Sequence, residues 1–274
     1  TDGAYFEGIN YVFPDSVFVT SPGATRWLKG LNPGSPKHCG LEILSGTHIP
    51  PDWSGDFVAN DFRSHRVCRF TVQPNGSGYI SRQQPEIITT QHVAFRPIDA
   101  GMGPDGALYI ADWYNPIIQH GEVDFRDERR DRSHGRIWRV SFPGRELDPW
   151  PDFAATKVDD LLDLLKDPAL PVRQFAREEL WKRAEQKRDA VLQAYRTWTA
   201  KDRANRALEL FWFYEVLGMP VGDDLIPMFE AANPAVWRTM LRSVWRSRLN
   251  ESPEQPQAAL SKPLASLLKR ILTE

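Results

Sequence analysis

The sequence predicts a chain in two chemically different parts, a β-rich first half followed by a helical second half. Up to residue 142, short apolar runs alternate with Gly, Pro, Asn and Asp turns, which is typical of an antiparallel meander. From Lys157 onward, apolar residues recur at helical spacing. Between the two parts, three prolines and a glycine within ten residues, Phe142–Pro151, favour a linker.

These changes of pattern divide the 274 residues into four segments. Residues 1–35 form an N-terminal segment that we interpret as the remnant of a preceding blade of a β-propeller, and residues 36–142 hold the β-structure. A proline-rich linker follows at 143–156, and helical repeats occupy 157–274. The chain opens on Thr1 and lacks an initiator Met, so we expect it to be a partial chain.

One turn-and-strand motif favours a particular β architecture. The motif GPDGALYIAD, residues 103–112, combines a Pro-Asp-Gly turn with an alternating buried strand. Motifs of this kind recur once per blade in β-propellers. We therefore predict blades of a β-propeller for residues 36–142, with part of a β-sandwich as the alternative.

The second half predicts stacked helical repeats. Val158, Leu161 and Leu165 lie on one apolar stripe, and a second helix opens after Pro171. Further second helices are predicted near Asp202, Pro234 and Pro263, a spacing of about thirty residues that marks a short solenoid.

Composition excludes several classes of protein. A net charge of −2 gives no electrostatic basis for binding nucleic acid, and no apolar run is long enough to span a membrane. The two cysteines, Cys39 and Cys68, lie outside any CxxCH motif, so covalent haem is not expected in this chain.

The candidate site lies in a loop of about twenty residues between two predicted strands, longer than most connections. We expect His120 or His134 to accept a proton, and Arg96, Arg126 or Arg136 to clamp an anion. Candidate metal ligands are Asp61, His65 and Asp112. Further residues expected on the same face are His38, Arg63, Asn115, Asp127 and Asp131. The alternative is a loop that Arg–Asp pairs hold together, with its histidines bonded to backbone.

Three segments carry a family resemblance: 38–70 (HCGLEILSGTHIPPDWSGDFVANDFRSHRVCRF), 95–120 (FRPIDAGMGPDGALYIADWYNPIIQH) and 126–140 (RDERRDRSHGRIWRV). They resemble the large membrane-bound dehydrogenase-like proteins of Planctomycetes and Verrucomicrobia. Those proteins join a glucose/sorbosone dehydrogenase-like propeller to helical repeats and a c-type cytochrome domain. The first helical pair, LLDLLKDPALPVRQFAREEL, resembles a HEAT repeat.

The resemblance implies the closing blades of a six-bladed propeller followed by a HEAT-like α-solenoid. It also implies pyrroloquinoline quinone and Ca²⁺ as cofactors, with Arg96, Arg126 or Arg136 as the clamp for a quinone carboxylate, and an exported, periplasmic setting. Of the two arginines that hold the quinone in the relatives, Arg96 matches the first, and Ile98 stands at the second. The catalytic base of the relatives comes from an early blade that this chain lacks.

Two functional hypotheses follow. In the first, the chain is part of a quinoprotein-like sugar dehydrogenase that oxidises a carbohydrate-like small molecule and passes electrons to a c-type cytochrome. In the second, it is a non-catalytic module that binds a glycan or a protein. Fold analogy alone is a weak basis for choosing a reaction.

Overall fold

The computed structural model describes residues 37–75, 78–118 and 123–219, together with 266 and 269. The chain divides into two compact units. The first is Thr1–Trp150 with Pro168–Pro171, and the second is Pro151–Asp167 with Val172–Glu274. The division after Trp150 lies inside the segment predicted as a linker.

The first unit begins with a four-stranded antiparallel sheet. Its strands are β1 (His38–Ile43), β2 (Phe57–Asp61), β3 (Arg66–Asn75) and β4 (Gly78–Thr89). They pair in sequence order, so the sheet is a meander, as the alternation of short apolar runs and turns predicts.

A second, three-stranded sheet follows. It consists of β5 (Pro97–Met102), β6 (Leu108–Asp112) and β7 (Arg136–Val140), again paired in order. The predicted turn between β5 and β6 is confirmed. The amide of Gly103 donates to the Ala107 carbonyl at 2.8 Å, and Gly106 has a φ of +75° that favours glycine.

The two sheets share one hydrophobic core. The first sheet contributes residues from β2, from β3 and from the loop that follows β1. The second sheet contributes residues from β6 and from the loop that precedes β5. The buried members of the core are Leu44, Ile49, Val58, Val67, Phe95, Leu108 and Ile110. The sheets are also joined directly, because Glu42 accepts a hydrogen bond of 2.9 Å from the Met102 amide.

Strand register brings the ends of several strands to one edge of each sheet. The paired residues at these ends are His38, Asp61, Arg66 and Thr89 in the first sheet, and Pro97, Asp112 and Arg136 in the second. The two edges meet, since the Nδ1 of His65 lies 2.9 Å from the Phe95 carbonyl oxygen. We call this combined region the loop edge.

The opposite end of the first unit is closed by Asp148. Its carboxylate accepts hydrogen bonds from the backbone amides of Thr47 (3.0 Å) and His48 (2.9 Å). A Cβ on Gly46 or Gly106 would collide with this carboxylate, so both positions require glycine. His48 therefore lies away from the loop edge.

The second unit is helical. Its described helices are α1 (Val158–Leu164), α2 (Leu170–Ala200) and α3 (Arg203–Val216). Their apolar faces meet in one core, in which the rings of Tyr195 and Phe213 stack with centroids 4.1 Å apart. Arg177 on α2 and Glu209 on α3 form an ion pair at 2.8 Å.

The prediction of propeller blades is wrong. The described residues form two small antiparallel sheets of four and three strands, with no closed barrel or propeller among them. Turn chemistry and alternating apolarity determine how consecutive strands pair. They do not determine whether the resulting sheets arrange radially around an axis, and here the sheets pack through one shared core.

The prediction of a HEAT-like solenoid is also wrong for the described helices. The segment α2 consists of two helical stretches that meet at a kink at Lys187, whose φ of −137° and ψ of 52° are not helical. The described helices pack around one shared core, and helical spacing in the sequence does not determine whether pairs of helices stack as repeats. The predicted N-terminal segment and the helices near Pro234 and Pro263 lie outside the described residues.

Tyr195 provides a test of the helical core. Its hydroxyl is fully buried and has no hydrogen-bond partner in the described structure. Tyr195→Phe removes an unsatisfied buried group, so we expect the free energy of unfolding to rise by about 1 kcal/mol.

The matched control is Tyr214→Phe, because the Tyr214 hydroxyl accepts a hydrogen bond of 3.0 Å from Nε of Arg196. This change should lower the stability of the chain. Urea denaturation of the whole chain measures both effects, and destabilisation by Tyr195→Phe would contradict the burial of a lone hydroxyl.

Candidate functional site

Arg96 is the central side chain of the loop edge. It is buried, and its guanidinium donates to four carbonyl oxygens in two separate loops. Nη1 reaches Phe62 (2.8 Å) and Arg63 (3.2 Å), while Nε and Nη2 reach Asn115 (2.9 Å) and Pro116 (3.1 Å). Burial lowers the pKa of Arg96, and the nearby Asp112 carboxylate partly offsets that effect. Arg96 thus joins the loop after β2 to the loop after β6.

Asp112 organises the loop after β6. One carboxylate oxygen accepts the backbone amides of Arg96 and Tyr114, each at 2.8 Å. The other accepts the indole N–H of Trp138 at 2.9 Å. The side chain is buried, and hydrogen bonds to the protein occupy both of its oxygens. The role of Asp112 in the site is therefore structural.

Asp61 has the same function in the loop after β2. One oxygen accepts the amides of Lys37 (3.0 Å) and Ser64 (3.2 Å), and the other binds the Arg66 guanidinium at 2.8 Å. Burial by itself raises the pKa of Asp61. The hydrogen bonds from Lys37, Arg66 and Ser64 outweigh burial and hold that pKa below its ordinary value.

His65 and Tyr114, which follow the ends of β2 and β6, both adopt left-handed backbone conformations, with φ of +56° and +52°. Such conformations are uncommon for residues other than glycine, and they concentrate at functional sites. The Phe95 carbonyl can only accept, so Nδ1 of His65 carries the proton and Nε2 faces Arg96 at 3.5 Å.

Tyr114 lies among cationic and imidazole groups. The Arg136 guanidinium lies 3.4 Å from the centre of its ring, a close cation–π contact. The His92 ring stacks on it at 5.7 Å, and the His134 ring approaches edge-on at 6.3 Å. Arg136 is therefore packed against an aromatic face.

His134 is paired with a carboxylate in the long loop. Its Nδ1 lies 2.8 Å from Oδ2 of Asp131, and the Asp131 carboxylate also accepts the amides of Ser133 and His134. These amides, with the imidazole, lower the pKa of Asp131 to about 2, so it is ionised at neutral pH. The proton on Nδ1 leaves Nε2 of the exposed ring available as an acceptor.

A cavity of about 320 Å³ opens beside these loops. Aromatic and aliphatic side chains form part of its lining, and cationic, amide and carboxylate groups form the rest. The lining residues are Lys37, Phe62, Trp113, Asn115, Ile118, Phe125, Arg130, Asp131 and Arg132. We call this the loop-edge cavity.

The structure brings many of the predicted residues to the loop edge but gives them different surroundings. Asn115 and Asp131 line the cavity, whereas His38 is buried and burial lowers its pKa. The exposed residues are Arg63, Arg126, His134 and Arg136, and Asp127 is held by an ion pair with Arg129. His120 lies outside the described residues.

Sequence reasoning missed most of the cavity lining. Lys37, Phe62, Trp113, Phe125, Arg130 and Arg132 line it and were not predicted as site residues. Trp113 and Phe125 follow strands in a long loop, a position where exposed aromatic residues often bind ligands. That signal was present in the sequence, but it did not show that residues 37 and 62 lie next to residue 113.

The described residues do not fit the quinone or the calcium ion that the resemblance implies. Arg96 is bonded to four carbonyls, Arg136 lies against Tyr114, and Arg126 is exposed, so no two of these guanidinium groups share a contact. The carboxylates of Asp61 and Asp112 are occupied by N–H donors. Over the described ranges, no group of three His, Cys, Asp or Glu residues could hold a metal ion.

Residues 14–143 are similar to a domain of unknown function, DUF7133. No curated protein and no solved structure matches the chain. Among the described helices, none combines the length and the apolar character needed to cross a bilayer.

Arg96→Lys tests the connection between the two loops. A lysine keeps the charge, but its three donors on one nitrogen cannot replace the four carbonyl contacts that the guanidinium makes on the two loops. We expect the free energy of unfolding to fall by about 2 kcal/mol, because buried carbonyls lose their donors. Chemical denaturation of the whole chain measures the change.

The control for this prediction is Arg63→Lys at an exposed position two residues after β2. It should leave stability unchanged within about 0.5 kcal/mol. Equal effects of the two substitutions would mean that the Arg96 hydrogen bonds do not hold the loops.

Proposed function

We propose that the chain binds a carbohydrate-like small molecule in the loop-edge cavity. The observation that carries this proposal is the lining, which combines exposed aromatic faces with an amide, a carboxylate and cationic donors. A sugar ring has C–H groups on one face and hydroxyl groups at its edge. Aromatic surfaces suit the first, and fixed polar groups suit the second.

The exposure of the aromatic residues Trp113 and Phe125 supports a role in ligand binding. Trp113 is 41% exposed and Phe125 is 68% exposed, although both are large apolar side chains. Neither belongs to the hydrophobic core of the first unit. Exposed aromatic residues grouped beside a cavity are typical of interaction sites.

The polar groups of the cavity are fixed before any ligand arrives. Asn115 accepts the Ile117 amide at 3.1 Å and donates to the Asp131 carbonyl at 3.2 Å, so its side chain has a defined orientation. The Asn115 carbonyl is held by Arg96. A site with prearranged groups loses less conformational entropy on binding.

Trp113→Ala tests this function. Removal of the indole should weaken binding of the best oligosaccharide from a panel of neutral and acidic glycans by at least about tenfold, since aromatic anchors dominate such contacts. Isothermal titration calorimetry measures the affinity.

Trp150→Ala is the matched control, because Trp150 is also 41% exposed in the first unit and does not line the cavity. It should bind the same glycan with unchanged affinity. Absence of binding to every glycan in the panel would contradict the proposed function.

A second candidate function is the sugar oxidation that the resemblance implies. The observation in its favour is the Asp131–His134 pair, which places a carboxylate-oriented imidazole next to a residue of the cavity lining. Such an imidazole can remove the proton of a substrate hydroxyl, and the accompanying hydride would pass to an added quinone, which the described residues do not hold. The c-type cytochrome partner and the exported setting belong to this candidate and rest on the resemblance alone.

His134→Gln tests the second candidate in a dye-reduction assay with aldoses, run with and without added pyrroloquinoline quinone and Ca²⁺. Loss of a general base should reduce turnover by about 100-fold or more. His92→Gln, which removes an exposed histidine with no carboxylate partner among the described residues, should keep the activity. No dye reduction by the unmodified chain would leave binding as the function.

A further inference from the structure

The loop-edge cavity contains more cationic than anionic side chains. Lys37, Arg130 and Arg132 line it, against one carboxylate, Asp131. This balance differs from the chain as a whole, whose net charge is −2. Local charge of one sign at a cavity influences which ligands enter it.

The nearby carboxylates are already engaged by other groups. Asp131 binds the His134 imidazole and two backbone amides. Asp127 forms its ion pair with Arg129 at 2.7 Å, and Asp124 accepts the amide of Arg126 at 2.8 Å. In the described part of the chain, no carboxylate forms an ion pair with Lys37 or Arg132.

Lys37 lies next to an aromatic ring of the cavity, and Arg132 contacts the backbone of an aromatic residue that lines it. Nζ of Lys37 lies 5.8 Å from the centre of the Phe62 ring. Nη2 of Arg132 donates a hydrogen bond of 2.7 Å to the Phe125 carbonyl. Because Lys37 and Arg132 line the same cavity as these aromatic residues, a ligand in the cavity comes within reach of two cationic groups.

We propose that the ligand of the loop-edge cavity is an acidic carbohydrate, whose ring carries a carboxylate or a sulfate group. This inference deepens the proposed function and rests on it. The rings of Trp113, Phe62 and Phe125 contact the sugar, and Lys37 and Arg132 bind its anionic substituent. A neutral sugar of the same shape leaves these cations without a partner, so the cavity discriminates by charge.

The test uses two pairs of ligands that differ only in charge. The first pair is trigalacturonate and its fully methyl-esterified form, and the second is a sulfated galactan trisaccharide and its desulfated form. Calorimetry with the whole chain should show at least about tenfold tighter binding of the charged member in one pair or both. The pair that responds identifies carboxylate or sulfate as the recognised group.

Arg132→Gln should weaken binding of the charged ligand about fivefold, as expected for an exposed charge pair, and should leave the neutral member unaffected. Arg82→Gln is the control, because it removes an exposed cation from β4 that does not line the cavity. It should change neither affinity. The preference for the charged ligand should also decrease at high ionic strength.

The outcomes separate the two proposals. Equal affinity for both members of each pair overturns the acidic ligand and leaves the carbohydrate-binding function in place. A charge preference that Arg132→Gln and Arg82→Gln reduce equally also overturns it, since a general attraction would then be responsible. No binding of any of the four ligands overturns both proposals.

Discussion

The loop edge depends on one buried arginine. The Arg96 guanidinium joins the carbonyls of two loops that follow different strands in different sheets, and no carboxylate in the described residues forms an ion pair with it. A planar guanidinium has five donors spread over three nitrogens, whereas a lysine has three donors on one nitrogen and cannot replace all four carbonyl contacts. Because buried carbonyls without donors are costly, this one side chain determines how the two loops lie relative to each other.

Two buried aspartates complete this arrangement. Because their carboxylates accept N–H groups of the protein, they are poor metal ligands. Asp61 is the last residue of β2, and Asp112 is the last residue of β6. Each accepts a backbone amide from the loop that follows its strand. Their charge is used to organise backbone. The side chains that remain accessible are Trp113, Phe125, Lys37 and Arg132, and these give the cavity its aromatic and cationic character. The structural and the ligand-binding groups of the loop edge are thus different sets of residues.

Part of this site could be predicted from the sequence. The long loop between β6 and β7, the turn before β6 and the placement of His38, Asp61 and Asp112 at strand ends follow from local patterns, because a meander returns alternate strand ends to the same edge. The role of each residue, structural or ligand-binding, could not be predicted in this way. A buried arginine that binds carbonyls and an exposed arginine that binds an anion have the same letter in the sequence, and burial is decided by residues distant in the chain.

The sequence by itself determined the β-then-α order, the antiparallel pairing of consecutive strands and the start of the first helix, since turn residues and apolar spacing act over a few residues. Only the tertiary structure decided that the strands form two sheets around one core, that α2 is kinked at Lys187, and that Lys37 and Phe62 meet Trp113 at one cavity. Those features depend on contacts between segments far apart in the chain, and no local pattern encodes which distant surfaces pack together.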